Sequence, residues 1–266
     1  MKYAVIFGSE SGLAKAAVSK LLQNDFVVFG FDVKCGQSRV CGNLHTMHAD
    51  VTVEADVVAA VRYVSSYTDR IHLLSSFCGI VTLGSLVELP TQALEKILAV
   101  NLVGVARVNS AFFQLLANGG GRIVNISSEY ARIAAVPFHG YYGIAKHALD
   151  VYNDSLRREL SSSPVSVVAI RPGAFATNMQ AGVQGQFDRL VKETQMYRKP
   201  LEKMQSIMVG ELKKAKDPEI FAKVYLKAAT KKHPKRYYNV NNSFKMKLLS
   251  ALPRGLADAA FAAYFK

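Results

Sequence analysis

Short apolar runs alternate with longer amphipathic stretches along almost the whole chain. Tyr3 to Phe7, Phe26 to Phe31, Thr46 to Ala49, Ile71 to Phe77, Arg122 to Ile126 and Val165 to Ile170 predict buried strands, and Tyr237 to Val240 a weaker last one. Between them Leu13 to Leu22, Glu54 to Tyr67, Thr91 to Ala117, Tyr142 to Leu160 and Pro218 to Thr230 predict helices. Helices placed between strands act as crossovers, so neighbouring strands run parallel and both sheet faces are covered. The expected fold is α/β, a single domain over residues 1–266 built on a doubly wound parallel sheet. Residues 174–215 interrupt the alternation, with Gly182, Gly185 and Gly210 set among Met, Gln and Lys. Directly after a strand end, where doubly wound sheets bind ligands, this segment reads as a substrate-side helical lid over about 177–215 or as an ordinary surface excursion. A C-terminal strand and helical tail follow over about 236–266.

Composition agrees with a folded globule. Half of the 266 residues are hydrophobic and 3 are Cys, which excludes a disordered chain and a disulfide scaffold. Cys35, Cys41 and Cys78 are odd in number and scattered, as reduced thiols are. The chain reaches Gly8 after four or five apolar residues, unlike a signal peptide, and has no run of the ~20 apolar residues that a membrane helix needs. A cytoplasmic protein is expected. Cys35, Cys41, His45 and His48 lack the tight Cys-x-x-Cys spacing of zinc sites, and a strand would turn the two imidazoles to opposite faces. No metal is expected.

Charge is the anomaly, because 33 basic residues against 20 acidic give +13. Residues 1–187 carry 15 basic and 13 acidic side chains, residues 188–247 carry 16 and 6, and the last 19 carry 2 and 1. The body is nearly neutral, which argues against a protein built to coat nucleic acid.

The first strand runs through Gly8-Ser9-Glu10-Ser11-Gly12-Leu13-Ala14 into a helix, so free backbone N–H groups and a positive helix dipole face one point, as a phosphate requires. Gly8 permits the turn, and Gly12 lets the backbone approach a pyrophosphate. The second strand ends at Asp32, whose carboxylate would accept hydrogen bonds from adenosine ribose hydroxyls and repel a 2′-phosphate. The pair predicts NAD over NADP, with Lys34 positioned to soften the preference. Tyr142-Gly143-Ile144-Ala145-Lys146 places a phenol and an ammonium four residues apart on one helix face, where the cation favours phenolate and suits the Tyr as a general base. Tyr141 competes for that role, but four residues beyond it stands Ala145. Leu149, Tyr152, Leu156 and Leu160 form a different stripe, expected to pack on the sheet.

Gly8-xxx-Gly12, Asp50-Val51-Thr52, Asn101-Leu102-Val103-Gly104, Arg122-Ile123-Val124-Asn125-Ile126-Ser127-Ser128, Tyr142-xxx-Lys146 and Arg171-Pro172-Gly173-Ala174-Phe175-Ala176-Thr177 stand in order. In that order and spacing the chain resembles the classical short-chain dehydrogenase/reductases, closely over about the first 180 residues. The resemblance implies a Rossmann-type fold with Tyr142 as acid/base and Lys146 binding the nicotinamide ribose while lowering the Tyr pKa. It likewise implies Ser128 polarising the substrate oxygen and Asn101 holding a helix kink and a proton-relay water. Ser127 competes with Ser128, and the family's usual position favours the second. Carried over in the same way, Asp50 and Val51 contact adenine, the Phe175 backbone and Thr177 hold the carboxamide, and Ser11, Leu13 and Cys78 complete the cofactor set. A homodimer or homotetramer is also implied.

Several positions depart from the pattern. Ala14 replaces a third glycine, Phe7 stands where Thr is common, and Ser76-Phe77-Cys78-Gly79 replaces Asn-Asn-Ala-Gly, removing a side chain that ties strands together. Glu129 and Tyr130 are larger than usual and are expected to line the substrate pocket. The tail, Arg236-Tyr237-Tyr238 and Leu248 to Pro253, resembles the 17β-hydroxysteroid and retinol dehydrogenase-like subgroup, which implies a lipophilic secondary alcohol or ketone such as a hydroxysteroid or bile acid. Met179, Val183, Phe187, Met196, Met204, Ile207 and Met208 would suit that ligand, or form the inner side of ordinary helices. The basic excess admits three roles. Arg189, Lys192, Arg198, Lys199 and Lys203 could steer an anionic amphiphile. Lys213, Lys214, Lys231, Lys232, Lys235, Arg236, Lys245 and Lys247, with Phe261, Tyr264 and Phe265, could rest on an anionic membrane, a peripheral contact. The surface could also be merely solvated. Alternatives to the NAD-dependent dehydrogenase are an NADP(H)-dependent carbonyl reductase and a non-catalytic dinucleotide-binding regulator.

Overall fold

The computed structural model describes residues 1–133 and 135–265; Ala134 and Lys266, included in the expected domain and tail, lie outside the described residues. The strands are β1 (Lys2–Phe7), β2 (Phe26–Asp32), β3 (Arg39–Cys41), β4 (Leu44–His48), β5 (Leu73–Ser76), β6 (Arg122–Ile126), β7 (Ser166–Pro172) and β8 (Tyr237–Val240). The helices are α1 (Gly12–Leu22), α2 (Glu54–Ser65), α3 (Thr91–Leu98), α4 (Gly104–Ala111), α5 (Phe113–Gly119), α6 (Gly140–Glu159), α7 (Asn178–Glu193), α8 (Arg198–Leu212), α9 (Pro218–Thr230), α10 (Phe244–Ala251) and α11 (Arg254–Phe265).

The strands form one sheet in the order β3-β4-β2-β1-β5-β6-β7-β8. Every pairing is parallel except that of β3, a short exposed edge strand running antiparallel to β4. The sequence pattern missed β3 because its residues bury nothing. From β1 the chain builds outward to β2 and β4, then returns to place β5 on the other side of β1 and continues to β8. The order thus reverses between β1 and β5, where open α/β sheets form a ligand crevice.

Alternation along the strands divides the core in two. Ala4 and Ile6 of β1 face α1 and α9, joining Ala14, Ala17, Leu21, Phe221 and Tyr225. Val5 and Phe7 face the opposite side, against Val57, Ala60 and Val64 of α2 and Val108, Phe112 and Leu116. All seven residues of β2 are buried, as a strand covered on both faces requires. Phe7, where Thr is common in the family, stacks on Phe31 at 4.9 Å. Phe77, in place of a strand-tying Asn, packs against Phe221 and Tyr225, while the Ser75 and Tyr225 hydroxyls hydrogen-bond at 2.7 Å. Apolar packing and one hydroxyl pair therefore occupy the place of the missing amide.

The helix predicted over Thr91 to Ala117 is three helices. A π-helical turn, Ala99–Val103, joins α3 to α4, and a bend of 53° at Phe112 separates α5. The predicted lid is α7 packed against α8, but it is not a uniformly apolar cover. Val183, Phe187 and Met204 are buried with Leu83, Ile133 and Val136, and Met208 packs against them. Met179, Met196 and Ile207 face outward. Much of the predicted ligand stripe is thus the inner side of ordinary helices.

Gly8 sits at φ 75°, and a Cβ there would lie 2.7 Å from the Cys78 N and 2.8 Å from the Phe77 C. Both atoms are backbone and cannot give way cheaply. Gly8→Ala is expected to destabilise the protein by about 2–4 kcal/mol, through strain and overpacking together, measured as a loss in urea-unfolding free energy. A loss below about 1 kcal/mol would show that the crevice relaxes around the methyl group.

Candidate active site

The end of β1, the start of α1 and the segment after β7 meet at the crevice. The N–H groups of Gly8 and Ser9 donate to the Phe31 carbonyl at 2.7 and 3.2 Å, holding the turn against β2. The Ser11 Oγ caps α1 by accepting from the Ala14 N–H at 3.3 Å. The N–H groups of Gly12 and Leu13 open the helix, where no intrahelical acceptor exists. A Cβ on Gly12 would lie 2.7 Å from the Thr177 Cγ2, so the bare glycine lets α1 approach the segment that carries Phe175 and Thr177. Phe175 buries its ring against Phe221 and leaves its backbone to the crevice rim.

At the far end, Asp32 is 8% exposed and ties two loops together. Its Oδ2 accepts from the Glu10 N–H and its Oδ1 from the Lys34 N–H, both at 2.9 Å. The Asp50 Oδ1 accepts from the Thr52 N–H and Oγ1, each at 2.8 Å, which shapes the turn after β4. Val51 is buried against Gly104, and its carbonyl accepts from Arg107. Cys78 lies between the two ends. Burial pushes its thiol up to about 12 and the Asp32 and Asp50 carboxylates add to this, so the thiol stays protonated. Two unpartnered N–H groups at a helix start, a turn bounded by Gly8 and Gly12 and a carboxylate at the second strand end fit a dinucleotide.

The second group of residues gathers over β5 and β6. Asn101, fully buried in the π-helical turn, donates through Nδ2 to the Ile80 carbonyl at 2.9 Å and accepts at Oδ1 from the Ile80 N–H at 2.8 Å. Its amide therefore braces the loop after β5, with the widened helix turn bringing it there. A Cβ on Gly79 would lie 3.5 Å from the Lys146 Nζ and 3.7 Å from the Asn101 Oδ1, so these three positions converge. Lys146 is 4% exposed and donates to the Ile126 carbonyl at 3.2 Å. Burial lowers its pKa to about 8, partly offset by Asp150 and Cys78.

Helix α6 begins two residues before Tyr142, and the four-residue spacing holds. The Lys146 Nζ lies 5.9 Å from the centre of the Tyr142 ring. Tyr141 instead buries its ring with Ile97 and Ala145. Burial raises the Tyr142 phenol above its ordinary value, a hydrogen bond with Ser128 pulls it down, and the Glu129 carboxylate raises it further. Lys146, expected from spacing to lower this pKa, instead turns its ammonium to the Ile126 carbonyl. Ser128 also caps the short turn Glu129–Ala131, its Oγ accepting from the Tyr130 N–H at 3.2 Å. Ser127 makes no hydrogen bond through its Oγ among the described residues. The structure thus brings Ser128, rather than Ser127, to Tyr142.

The pairing of Asp150 with Arg171 escaped the sequence reading. Asp150, four residues beyond Lys146, accepts from the Arg171 Nε at 2.7 Å, and the guanidinium lies 3.6 Å from the Tyr237 ring centre. The repeated step of four from Tyr142 to Lys146 to Asp150 was a readable signal, but the partner on β7 was not. Glu129 is half-buried, and its carboxyl is raised by burial while it accepts from the Ser243 N–H at 2.7 Å. Tyr130 stands edge-on to Tyr142 at 5.5 Å and stacks on His139 at 5.1 Å. His45 packs on Phe29 and Tyr67.

The sequence pattern of short chain dehydrogenases matches residues 2–186. The uncharacterized oxidoreductase YusZ of Bacillus subtilis (strain 168) is 27% identical over 259 residues, covering 93% of this chain and 92% of that protein. The 17-beta-hydroxysteroid dehydrogenase type 6 of Homo sapiens is 30% identical over 281 residues, covering 97% and 86%. Among solved structures, a short-chain dehydrogenase from Streptomyces avermitilis has the same fold, with a TM-score of 0.76 at 19% identity, covering 98% of this chain and 94% of that one.

His139, beside Tyr130, is buried and accordingly held neutral, with its pKa lowered to about 4. Between the unfolded value near 6.5 and about 4 the unfolded chain binds a proton that the folded chain refuses, so this residue makes stability fall as pH drops through that window. His139→Gln is expected to reduce the loss of unfolding free energy between pH 7 and pH 4.5 by about 2–3 kcal/mol. Equal losses in the two proteins would refute the neutral buried imidazole.

Proposed function

The chain belongs to the short chain dehydrogenase family, and we propose that it transfers a hydride between NAD(H) and a lipophilic secondary alcohol or ketone of hydroxysteroid or bile-acid type. Members of this family bind NAD or NADP, act on small molecules and often form oligomers. The observation that carries the reading is the convergence of Ser128, Tyr142 and Lys146 beside Gly79 and Asn101 over β5 and β6. NAD is favoured over NADP by the Asp32 carboxylate, fixed between two loops where a 2′-phosphate would lie. The lipophilic substrate class rests on similarity to the human hydroxysteroid dehydrogenase.

The nicotinamide, when bound, supplies or accepts the hydride. Ser128 would donate a hydrogen bond to the substrate oxygen, and Tyr142 would remove the hydroxyl proton in oxidation or return it in reduction. Lys146 places a cation beside the phenol ring, its Nζ 5.9 Å from the ring centre and hydrogen-bonded to the Ile126 carbonyl. Burial holds its pKa near 8, so its charge responds to pH close to neutrality. Asn101 keeps the loop at Ile80 and Gly79 open beside the ammonium. Burial and the Glu129 charge oppose ionisation of Tyr142, and the Ser128 hydrogen bond favours it.

Absorbance of the nicotinamide, followed with a panel of hydroxysteroids, bile acids, retinol and small secondary alcohols, tests the substrate class; turnover confined to small alcohols would overturn it. Tyr142→Phe is expected to cut kcat by about 10²–10⁴-fold, the usual contribution of a positioned proton donor, while NADH binding persists. Full turnover in that variant would remove Tyr142 from the chemistry. In the same binding assay the wild-type chain should hold NADH at least about tenfold more tightly than NADPH, a difference of about 1.4 kcal/mol. The opposite order would refute the role given to Asp32.

A further inference from the structure

The C-terminal helices α10 and α11 carry an outward apolar face that nothing among the described residues covers. Phe244 is 78% exposed, Leu248 60% and Leu256 58%, and Leu252 also faces outward. Phe244 and Leu248 are one helix turn apart and share a face of α10, while Leu252 and Leu256 flank the turn into α11. These are not the residues that the sequence singles out. Phe265 packs against Phe138 at 5.9 Å, and Phe261 stacks on Phe265 at 6.2 Å.

The segment is nonetheless held firmly at defined points. The Ser243 N–H donates to Glu129, Met246 packs beneath α7 and α8, and the Lys203 Nζ donates to the Tyr264 carbonyl at 2.9 Å. The inner side is therefore committed to the body of the protein and the outer side is left to a partner. Exposed apolar side chains grouped along one helix face mark protein or membrane contacts. Charge selects between them. Lys245, Lys247 and Arg254 are exposed among the apolar residues, with Asp258 as the acidic group of α11. Residues 188–243, which precede α10, add 14 basic against 6 acidic side chains. A second copy would set like charge against like, whereas an anionic bilayer complements both the cations and the apolar side chains. No single helix among the described residues is long and apolar enough to cross a membrane.

We propose that the outer face of α10 and the turn into α11 dock on an anionic membrane surface, with Phe244, Leu248, Leu252 and Leu256 entering the interface and Lys245 and Arg254 meeting headgroup charge. The contact is independent of the substrate proposed above, though it would set a lipophilic substrate beside the lid through the Glu129 to Ser243 link.

Co-sedimentation of the full chain with phosphatidylcholine vesicles, with and without phosphatidylserine, tests the proposal. Binding is expected to the phosphatidylserine vesicles and to weaken in high salt. Phe244→Ser with Leu248→Ser should reduce the bound fraction about tenfold or more while thermal stability is kept, since both side chains are exposed. Lys245→Glu with Arg254→Glu should do the same by the electrostatic route. No binding at low salt would overturn the proposal, as would undiminished binding of the Phe244 and Leu248 variant. A wild-type dimer that this variant dissociates, seen by light scattering, would assign the face to a second copy instead and equally overturn it.

Discussion

The close approach of β1 to β5 is the constraint from which the rest of the site follows. Parallel strands with helices on opposite faces leave a crevice where the strand order reverses, and the chain must turn out of β1 beside the backbone of Phe77 and Cys78. Only a residue without a side chain, at a positive φ, fits there. Once Gly8 makes that turn, α1 starts at the crevice with free N–H groups, and Gly12 lets it touch Thr177 from the far end of the chain. The dinucleotide-fitting half of the site is backbone held in place by two missing side chains.

The other half is a problem of buried charge. Lys146 has lost nearly all contact with water, and its lowered pKa is the mark of that cost. Two features compensate, the Ile126 carbonyl and the Asp150 carboxylate one helix turn away, while Arg171 pairs with Asp150 so that the carboxylate has a cation of its own. Removing one member would strand the others. The same helix places Tyr142 one turn ahead of Lys146, so phenol and ammonium share one helix face.

The departures from the family pattern fall into two groups with different physical consequences. Phe7 and Phe77 lie in the core, and aromatic packing fills their places without touching the crevice. Glu129 and Tyr130 follow Ser128 directly and alter the site itself. Glu129 adds a negative charge that resists ionisation of Tyr142 and reaches to the start of α10, while Tyr130 forms a wall against Tyr142 and Met208. These two departures sit in the loop after β6, and loops at the ends of sheet strands are freer to vary than the sheet.

Periodicity was sufficient for the parallel strands and most helices, since each buries a strand face or helix stripe and carries its pattern locally. It failed for β3, which buries nothing, and for the interval 91–117, where apolar residues continue through a π-helical turn and a bend that only packing creates. Gly8, Gly12, Asp32, Tyr142 and Lys146 were legible because their chemistry depends on short spacings along the chain. By itself the sequence determined the fold class, the dinucleotide-fitting turn and the pairing of phenol with lysine. The tertiary structure alone decided that Ser128 rather than Ser127 meets Tyr142, that Asp150 and Arg171 stand behind Lys146, and which residues of the tail face outward. Those facts turn on side chains that meet from elements far apart in sequence, and no local pattern records such meetings.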